Sequence, residues 1–219
     1  MLLNINEFTD YSYDESGKCL ILSSVAQAYI ETSKDYCRER YTNSELDRMG
    51  LIMNQGELEE IASYLTLNQL RIVTAESCTA GLIASTLAEL PGCGTWLESA
   101  FVTYSEDAKI ELLDVEQKII DQYGLTSEEV ASAMAEGALQ FANANLAIST
   151  TGVAGPSAGD GEDTVGTVCI AWAFKHISGL QTFSAKTHFP GDRNDVREAA
   201  TRYALQCVRE YHEQLAEPA

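Results

Sequence analysis

The sequence predicts an α/β domain, a three-layer α/β/α sandwich built on a mixed β-sheet, and three observations predict it. From about Met53 onward, short apolar runs alternate with amphipathic helical stretches. The last two strand-like runs follow each other across a short turn, and a long helical stretch closes the pattern. Strands separated by helices pair in parallel with helices on both faces, whereas strands joined by a tight turn pair antiparallel, so the sheet is mixed.

The elements follow in order. Leu58, Ile61, Ala62 and Leu65 recur at helical spacing. Residues 70–75 (Leu-Arg-Ile-Val-Thr-Ala) read as a buried strand running into a helix near residues 79–90, which Pro91-Gly92 ends. A second strand spans residues 98–104. Helical stretches cover roughly 106–122 and 127–143, the latter opened by Thr126-Ser127-Glu128-Glu129, a candidate capping box. Residues 146–151 form a third buried strand, and a glycine-rich loop, Gly152 to Gly161, follows it. Residues 165–174 and 180–189 make a hairpin joined near Ser178-Gly179. The final helix starts at Pro190-Gly191-Asp192 and runs to about Leu215.

Residues 1–52 differ in texture. They hold five of the ten tyrosines, no proline, one apolar run at residues 19–22 and a helical pattern from Val25 to Arg40. They show no chemistry and are too few for a large core of their own. The expected organisation is an extension of unassigned role, 1–52, that packs on the main body or mediates association, and a catalytic-type domain, 53–219.

Composition narrows the function classes. Forty-five per cent hydrophobic residues can bury a proper core in 219 residues. Fourteen Lys and Arg against 33 Asp and Glu leave a net charge of −19, a field that repels nucleic-acid phosphates. Any anionic ligand therefore needs a local cluster of cations or helix N-termini. The six cysteines form no CxxC pair and no zinc spacing, so no metal site is expected. No apolar run reaches the ~18 residues of a membrane span, and the N-terminus lacks a signal-peptide pattern. A cytoplasmic protein with no membrane partner is expected.

Ser77 is the first chemical candidate. It stands where a strand gives way to a helix, so its hydroxyl is offered at the sheet edge beside the free N–H groups of the following turn. Position alone favours a helix N-cap. As a nucleophile it needs a base, and none of His176, His188 and His212 has an obvious acidic partner nearby in sequence. Lysine substitutes for histidine when burial or nearby cations lower its pKa. Lys109, just past the second strand, is that candidate; a surface lysine in an acidic turn is the plainer reading. Tyr104, at the strand end, can join a proton network or simply pack. The glycine-rich loop is neither a Rossmann nor a P-loop signature and reads equally as a turn. Arg193 and Arg197, one turn apart at a helix start, suit a phosphate or a solvated helix face.

Taken together and in this order, the residues resemble the C-terminal domain of the competence/damage-inducible CinA family. The stretches that carry the resemblance are Thr74-Ala75-Glu76-Ser77-Cys78-Thr79, Phe101-Val102-Thr103-Tyr104-Ser105 with Lys109, Gly152-Val153-Ala154-Gly155-Pro156, Val165-Gly166-Thr167-Val168, and Phe189-Pro190-Gly191-Asp192-Arg193 with Val196-Arg197. They cover roughly residues 56–212. The resemblance implies a nicotinamide-nucleotide amidase, which converts nicotinamide mononucleotide and water to nicotinic acid mononucleotide and ammonia in pyridine-nucleotide recycling. It implies Ser77 as nucleophile, Lys109 as general base and Tyr104 in the proton network. N–H groups near Cys78 and Thr79 become the oxyanion hole, Thr151 and Gly152 line the pocket, and Arg193 holds the substrate. It implies no cofactor and a homodimer or larger homo-oligomer. Ala80 departs from the glycine usual in the family, the loop of residues 156–161 is more acidic than usual, Thr164 stands where proline is common, and residues 1–52 do not match the larger N-terminal domain of full-length members. A catalytically silent binding or regulatory module, or a Ser-Lys amidase of another small amide, stands as the alternative.

Overall fold

A computed structural model describes residues 53, 55–158 and 163–215; the expectations for residues 1–52 lie outside them. Helix α1 (Gln55–Leu67) leads into strand β1 (Ile72–Glu76), then α2 (Leu82–Ala88), a 3₁₀ turn at Cys93–Thr95 and β2 (Leu97–Val102). Helices α3 (Glu106–Leu113), α4 (Gln117–Tyr123) and α5 (Glu128–Phe141) precede β3 (Leu146–Gly152). The hairpin β4 (Thr167–His176) and β5 (Gly179–His188) and the long helix α6 (Arg193–Gln214) complete the described part.

The sheet is five-stranded and mixed, in the order β2-β1-β3-β4-β5. β1 runs parallel to both β2 and β3, while β3–β4 and β4–β5 are antiparallel. Strand alternation sorts the side chains into two cores. Ile72, Leu146, Ile148, Ile170, Trp172 and Phe174 meet α1, α2 and α6 on one face. Val73, Ala75, Ala147, Cys169, Ala171 and Ala173 meet α3, α4 and α5 on the other. The second face is built of small side chains. Gly137 of α5 continues that economy, since a Cβ there would lie 1.9 Å from the Leu113 carbonyl oxygen.

Two local expectations change. The helical stretch over 106–122 is broken in two at Asp114, which adopts a left-handed conformation (φ 54°) that short polar side chains tolerate. Leu113 and Val115 are both buried. Two residues apart, they would point to opposite sides of an unbroken helix, and the break lets both face the core. The capping box expected at Thr126–Glu129 reduces to a single cap. Ser127 accepts from the Val130 N–H, and because valine holds that third position no acidic side chain can reach back. The reciprocal box stands instead at the start of α6, between Asp192 and Asp195.

The topology decides where a site can form. β1, β2 and β3 end at the same edge of the sheet, and the chain leaves β1 toward one helical layer and β2 toward the other. Neighbouring exits to opposite faces open a crevice at the carboxyl ends of parallel strands.

Candidate functional site

Ser77 is the first residue after β1. Its backbone N–H donates to the Thr150 carbonyl (3.0 Å), which continues the β1–β3 pairing one step past the strand and holds the residue firmly. The side chain is 8% exposed. Beyond it, Ala80 (φ 51°) and Gly81 (φ 89°) are both left-handed and turn the chain into α2. None of the backbone carbonyls of the described residues accepts from the N–H groups of Cys78 or Thr79.

Lys109 reaches Ser77 from the next exit. Ser105 caps α3 by accepting from the Ala108 N–H, and that cap sets the first turn so that Lys109 points under the sheet edge. Lys109 is 1% exposed. Its Nζ donates to Ser77 Oγ (3.0 Å) and to the Thr103 carbonyl (2.9 Å), with longer contacts to the carbonyls of Tyr104 (3.3 Å) and Ser105 (3.5 Å). Burial lowers the pKa of Lys109 from the ordinary 10.5, and the nearby Cys78 and Glu106 oppose that only in part. The adjacent thiol moves the other way: burial pushes Cys78 up to about 11, so it stays protonated near neutral pH.

A cavity of about 810 Å³ opens over this pair. Of the residues expected at the site, Ser77, Cys78, Tyr104, Lys109, Thr151 and Gly152 line it. The facing wall is the α4–α5 loop and the start of α5, with Glu128 and Glu129, and the ion-paired Asp163 and Lys186 (2.7 Å). None of the three histidines lines it. Thr151 Oγ1 donates to the Leu125 carbonyl (2.7 Å) and so ties β3 to that loop. Gly152 has a packing role as well, because a Cβ there would lie 2.5 Å from the Thr167 carbonyl oxygen on β4.

Two expected residues, Thr79 and Arg193, do not line the cavity. Thr79 is fully buried, with its hydroxyl donating to Glu76 Oε2 (2.8 Å) and standing 2.7 Å from Thr150 Oγ1, so only its backbone faces the turn. Arg193 lies behind Tyr104 rather than on the cavity wall: it donates to the Tyr104 hydroxyl (3.0 Å) and to the Gly155 carbonyl (2.8 Å). Tyr104 is 58% exposed, lines the cavity and links it to the arginine through its hydroxyl. Arg197 does not join Arg193; it donates to the Thr79 carbonyl (3.0 Å).

Glu76 is the residue that sequence reasoning passed over. It closes a strand in which every residue is buried, and a carboxylate there signals a dedicated set of donors. Among the described residues no group of three or more His, Cys, Asp or Glu stands together to hold a metal ion, and no helix is long and apolar enough to cross a membrane.

Ala80 carries a measurable cost. An L-residue in the left-handed region loses roughly 1 kcal/mol, and glycine gives back about half of that through its looser unfolded chain. Ala80→Gly is therefore expected to raise the unfolding free energy by about 0.5 kcal/mol. Urea denaturation reads this directly, and a destabilised variant would mean the turn is not strained at this position.

The class is now defined: an α/β sandwich that carries a buried serine–lysine pair at the carboxyl ends of its parallel strands. Within that class the chain belongs to the CinA family, whose C-terminal domain matches residues 55–212. It is 36% identical over 208 residues to a CinA-like protein of Chlorobium limicola, covering 93% of this chain and 48% of that protein. A CinA-like protein of Mycobacterium tuberculosis is 38% identical over 186 residues, covering 85% of this chain and 41% of that one. The chain thus spans about half the length, or less, of these curated relatives. Among solved structures, the competence damage-inducible protein A of Klebsiella pneumoniae matches with a TM-score of 0.69 at 34% identity, over 74% of this chain and 98% of that one. A CinA superfamily protein of Escherichia coli matches with a TM-score of 0.66 at 35% identity, over 76% and 98%.

Proposed function

We propose that this protein is an amidohydrolase that uses Ser77 and Lys109 to release ammonia from nicotinamide mononucleotide. The observation that carries the reading is the 3.0 Å contact between Ser77 Oγ and a buried lysine whose pKa burial lowers from the ordinary 10.5. A lysine ordinarily fully charged at neutral pH cannot take a proton, whereas one with a lowered pKa can.

In the proposed course, neutral Lys109 takes the hydroxyl proton of Ser77 as Oγ bonds to the carboxamide carbon. The carbonyl oxygen becomes an oxyanion and meets the N–H groups of Cys78 and Thr79, which no backbone carbonyl of the described residues occupies. Lys109 then returns the proton to the departing nitrogen, and ammonia leaves. A water molecule, deprotonated by Lys109, attacks the ester on Ser77; the acid is released and Ser77 recovers its proton. Arg193 has five N–H donors and, among the described residues, gives two to Tyr104 and Gly155; others are assigned to a phosphate at the Tyr104 side of the cavity.

A second reading, amidase action on an unphosphorylated amide, draws on a specific observation. The facing wall sets Glu128, Glu129 and Asp163 against Lys186, a balance that works against a phosphate. Ammonia release from nicotinamide mononucleotide, nicotinamide riboside and nicotinamide separates the two. Turnover of the mononucleotide at least tenfold above the others in kcat/KM supports the first reading. Turnover confined to the unphosphorylated amides supports the second. Folded protein that releases ammonia from none of them overturns both.

A further inference from the structure

We propose that Glu76 and Arg197 are positioning residues that grip Thr79 from opposite ends and thereby hold the Ser77–Gly81 turn, so that the Cys78 and Thr79 N–H groups stay aimed at the reacting carbonyl oxygen; the inference rests on the amidase reading above. Neither side chain lines the cavity, and neither has a role in the proton transfers.

The grip is visible atom by atom. Glu76 is 0% exposed. Its Oε2 accepts from the Thr79 hydroxyl (2.8 Å) and the Ile83 N–H (3.1 Å), and its Oε1 accepts from the Ala84 N–H (2.9 Å). Gly81, the N-cap residue of α2, has no side chain to cap the helix. The Glu76 carboxylate takes that place by satisfying the second and third N–H groups of α2 from outside the helix. On the other side, Arg197 Nη2 donates to the Thr79 carbonyl (3.0 Å), which also receives the Leu82 N–H (3.2 Å). Thr79 is thus held by an anion at its hydroxyl and by a cation at its carbonyl. The peptide between Thr79 and Ala80 cannot rotate without breaking the bonds to its carbonyl, and the held hydroxyl fixes the side-chain end of the residue that carries one of the two N–H groups.

Such a device has a reason to exist here. Ala80 and Gly81 are both left-handed, a conformation that the chain does not hold by itself when one of the two is alanine. A buried carboxylate is also an expensive group that survives only with strong donors, and here three of them are supplied by the turn and the helix it starts. Arg197 Nε is buried with no partner among the described residues, so the guanidinium is placed for the Thr79 carbonyl at some loss to its own hydrogen bonding. An oxyanion hole works only when its donors are fixed before charge develops, which is what this arrangement supplies.

Glu76→Gln and Arg197→Met are the variants to measure, with Arg197→Lys as the conservative partner. Glutamine keeps the shape of Glu76 but turns an amide donor against donors, and methionine keeps the stem of Arg197 without its N–H groups. In each single variant kcat is expected to fall about 100-fold, the scale of a misaligned oxyanion-hole donor, with KM within threefold. The acidic limb of the pH–rate profile, set by Lys109, stays where it is in the wild type. Because the two act on one residue, the double variant should be little worse than the worse single variant. Arg197→Lys should recover part of the loss. A purely structural role would move the unfolding midpoint without this split between kcat and KM. Rates within threefold of wild type in Arg197→Met, or a rise in KM with kcat unchanged, overturn the proposal, and should Glu76→Gln fail to fold, the Arg197 variants decide it alone. A wild-type protein that releases no ammonia overturns the amidase reading instead, before any variant is compared.

Discussion

Replacing Ser77 with alanine is expected to lower kcat for ammonia release by about 10⁴-fold or more while leaving the fold and substrate affinity in place. The substitution removes one oxygen from a side chain that is already 8% exposed and leaves its backbone bond to Thr150 intact. Lys109 loses one acceptor but keeps the Thr103 carbonyl at 2.9 Å. The neighbouring Cys78 offers no substitute nucleophile, because burial pushes its thiol up to about 11 and holds it in the protonated form. A loss of that size corresponds to about 5.5 kcal/mol of transition-state stabilisation, far more than any repacking of one atom produces. Calorimetric titration with the substrate should give a dissociation constant within a few-fold of wild type. A Ser77→Ala protein that keeps a tenth of the wild-type rate would falsify the nucleophile assignment.

The second large effect belongs to Lys109. Lys109→Met keeps the length of the side chain and removes the base, so kcat is expected to drop by about 10³-fold, within the usual range for a lost general base. The pH dependence is the sharper observable. Burial lowers the pKa of Lys109, so the wild-type rate should climb with pH through a limb lying below the ordinary lysine value of 10.5, as the neutral amine becomes populated. Stability carries the same signature. Between the lowered pKa and 10.5 the unfolded chain binds a proton at this site that the folded protein does not, so stability rises with pH across that window and the burial cost vanishes above it. Lys109→Met should lack both the limb in the rate and this component of the stability profile. A wild-type rate that shows no rise with pH anywhere below pH 10 would count against Lys109 as the base, because deprotonating it would then leave the rate unchanged.

Much of the architecture was legible in the residues. Leu58, Ala62 and Leu65 mark α1 by their spacing, and residues 70–75 mark β1 by their apolar character, because burial on one stripe or on both faces leaves a periodicity that needs no partner to be read. The boundaries were less legible. The helix after Ser77 starts at Leu82 rather than at 79, because Ala80 and Gly81 take left-handed conformations that only the surrounding turn enforces. The break at Asp114 was equally hidden, since it follows from where the cores lie and not from the helical propensity of residues 106–122.

By itself the sequence determined the order of strands and helices, the antiparallel hairpin at the end and the chemical inventory of the site: a serine at a strand end, a lysine past the next strand, a tyrosine and two arginines. These are consequences of local side-chain pattern and of residue identity. The sheet order was decided by tertiary structure, and with it everything that brings the inventory together. Thirty-two residues separate Lys109 from Ser77, and only the parallel pairing of β1 and β2 brings their ends together and buries the lysine, which lowers its pKa. Arg193 and Arg197 illustrate the same point. One turn apart on α6, they read as a pair, yet the fold sends one to Tyr104, 89 residues away, and the other to Thr79, 118 residues away. Contact partners, burial and pKa are properties of the assembled environment, so no reading of the chain alone could separate the arginine behind the cavity wall from the arginine that holds the turn.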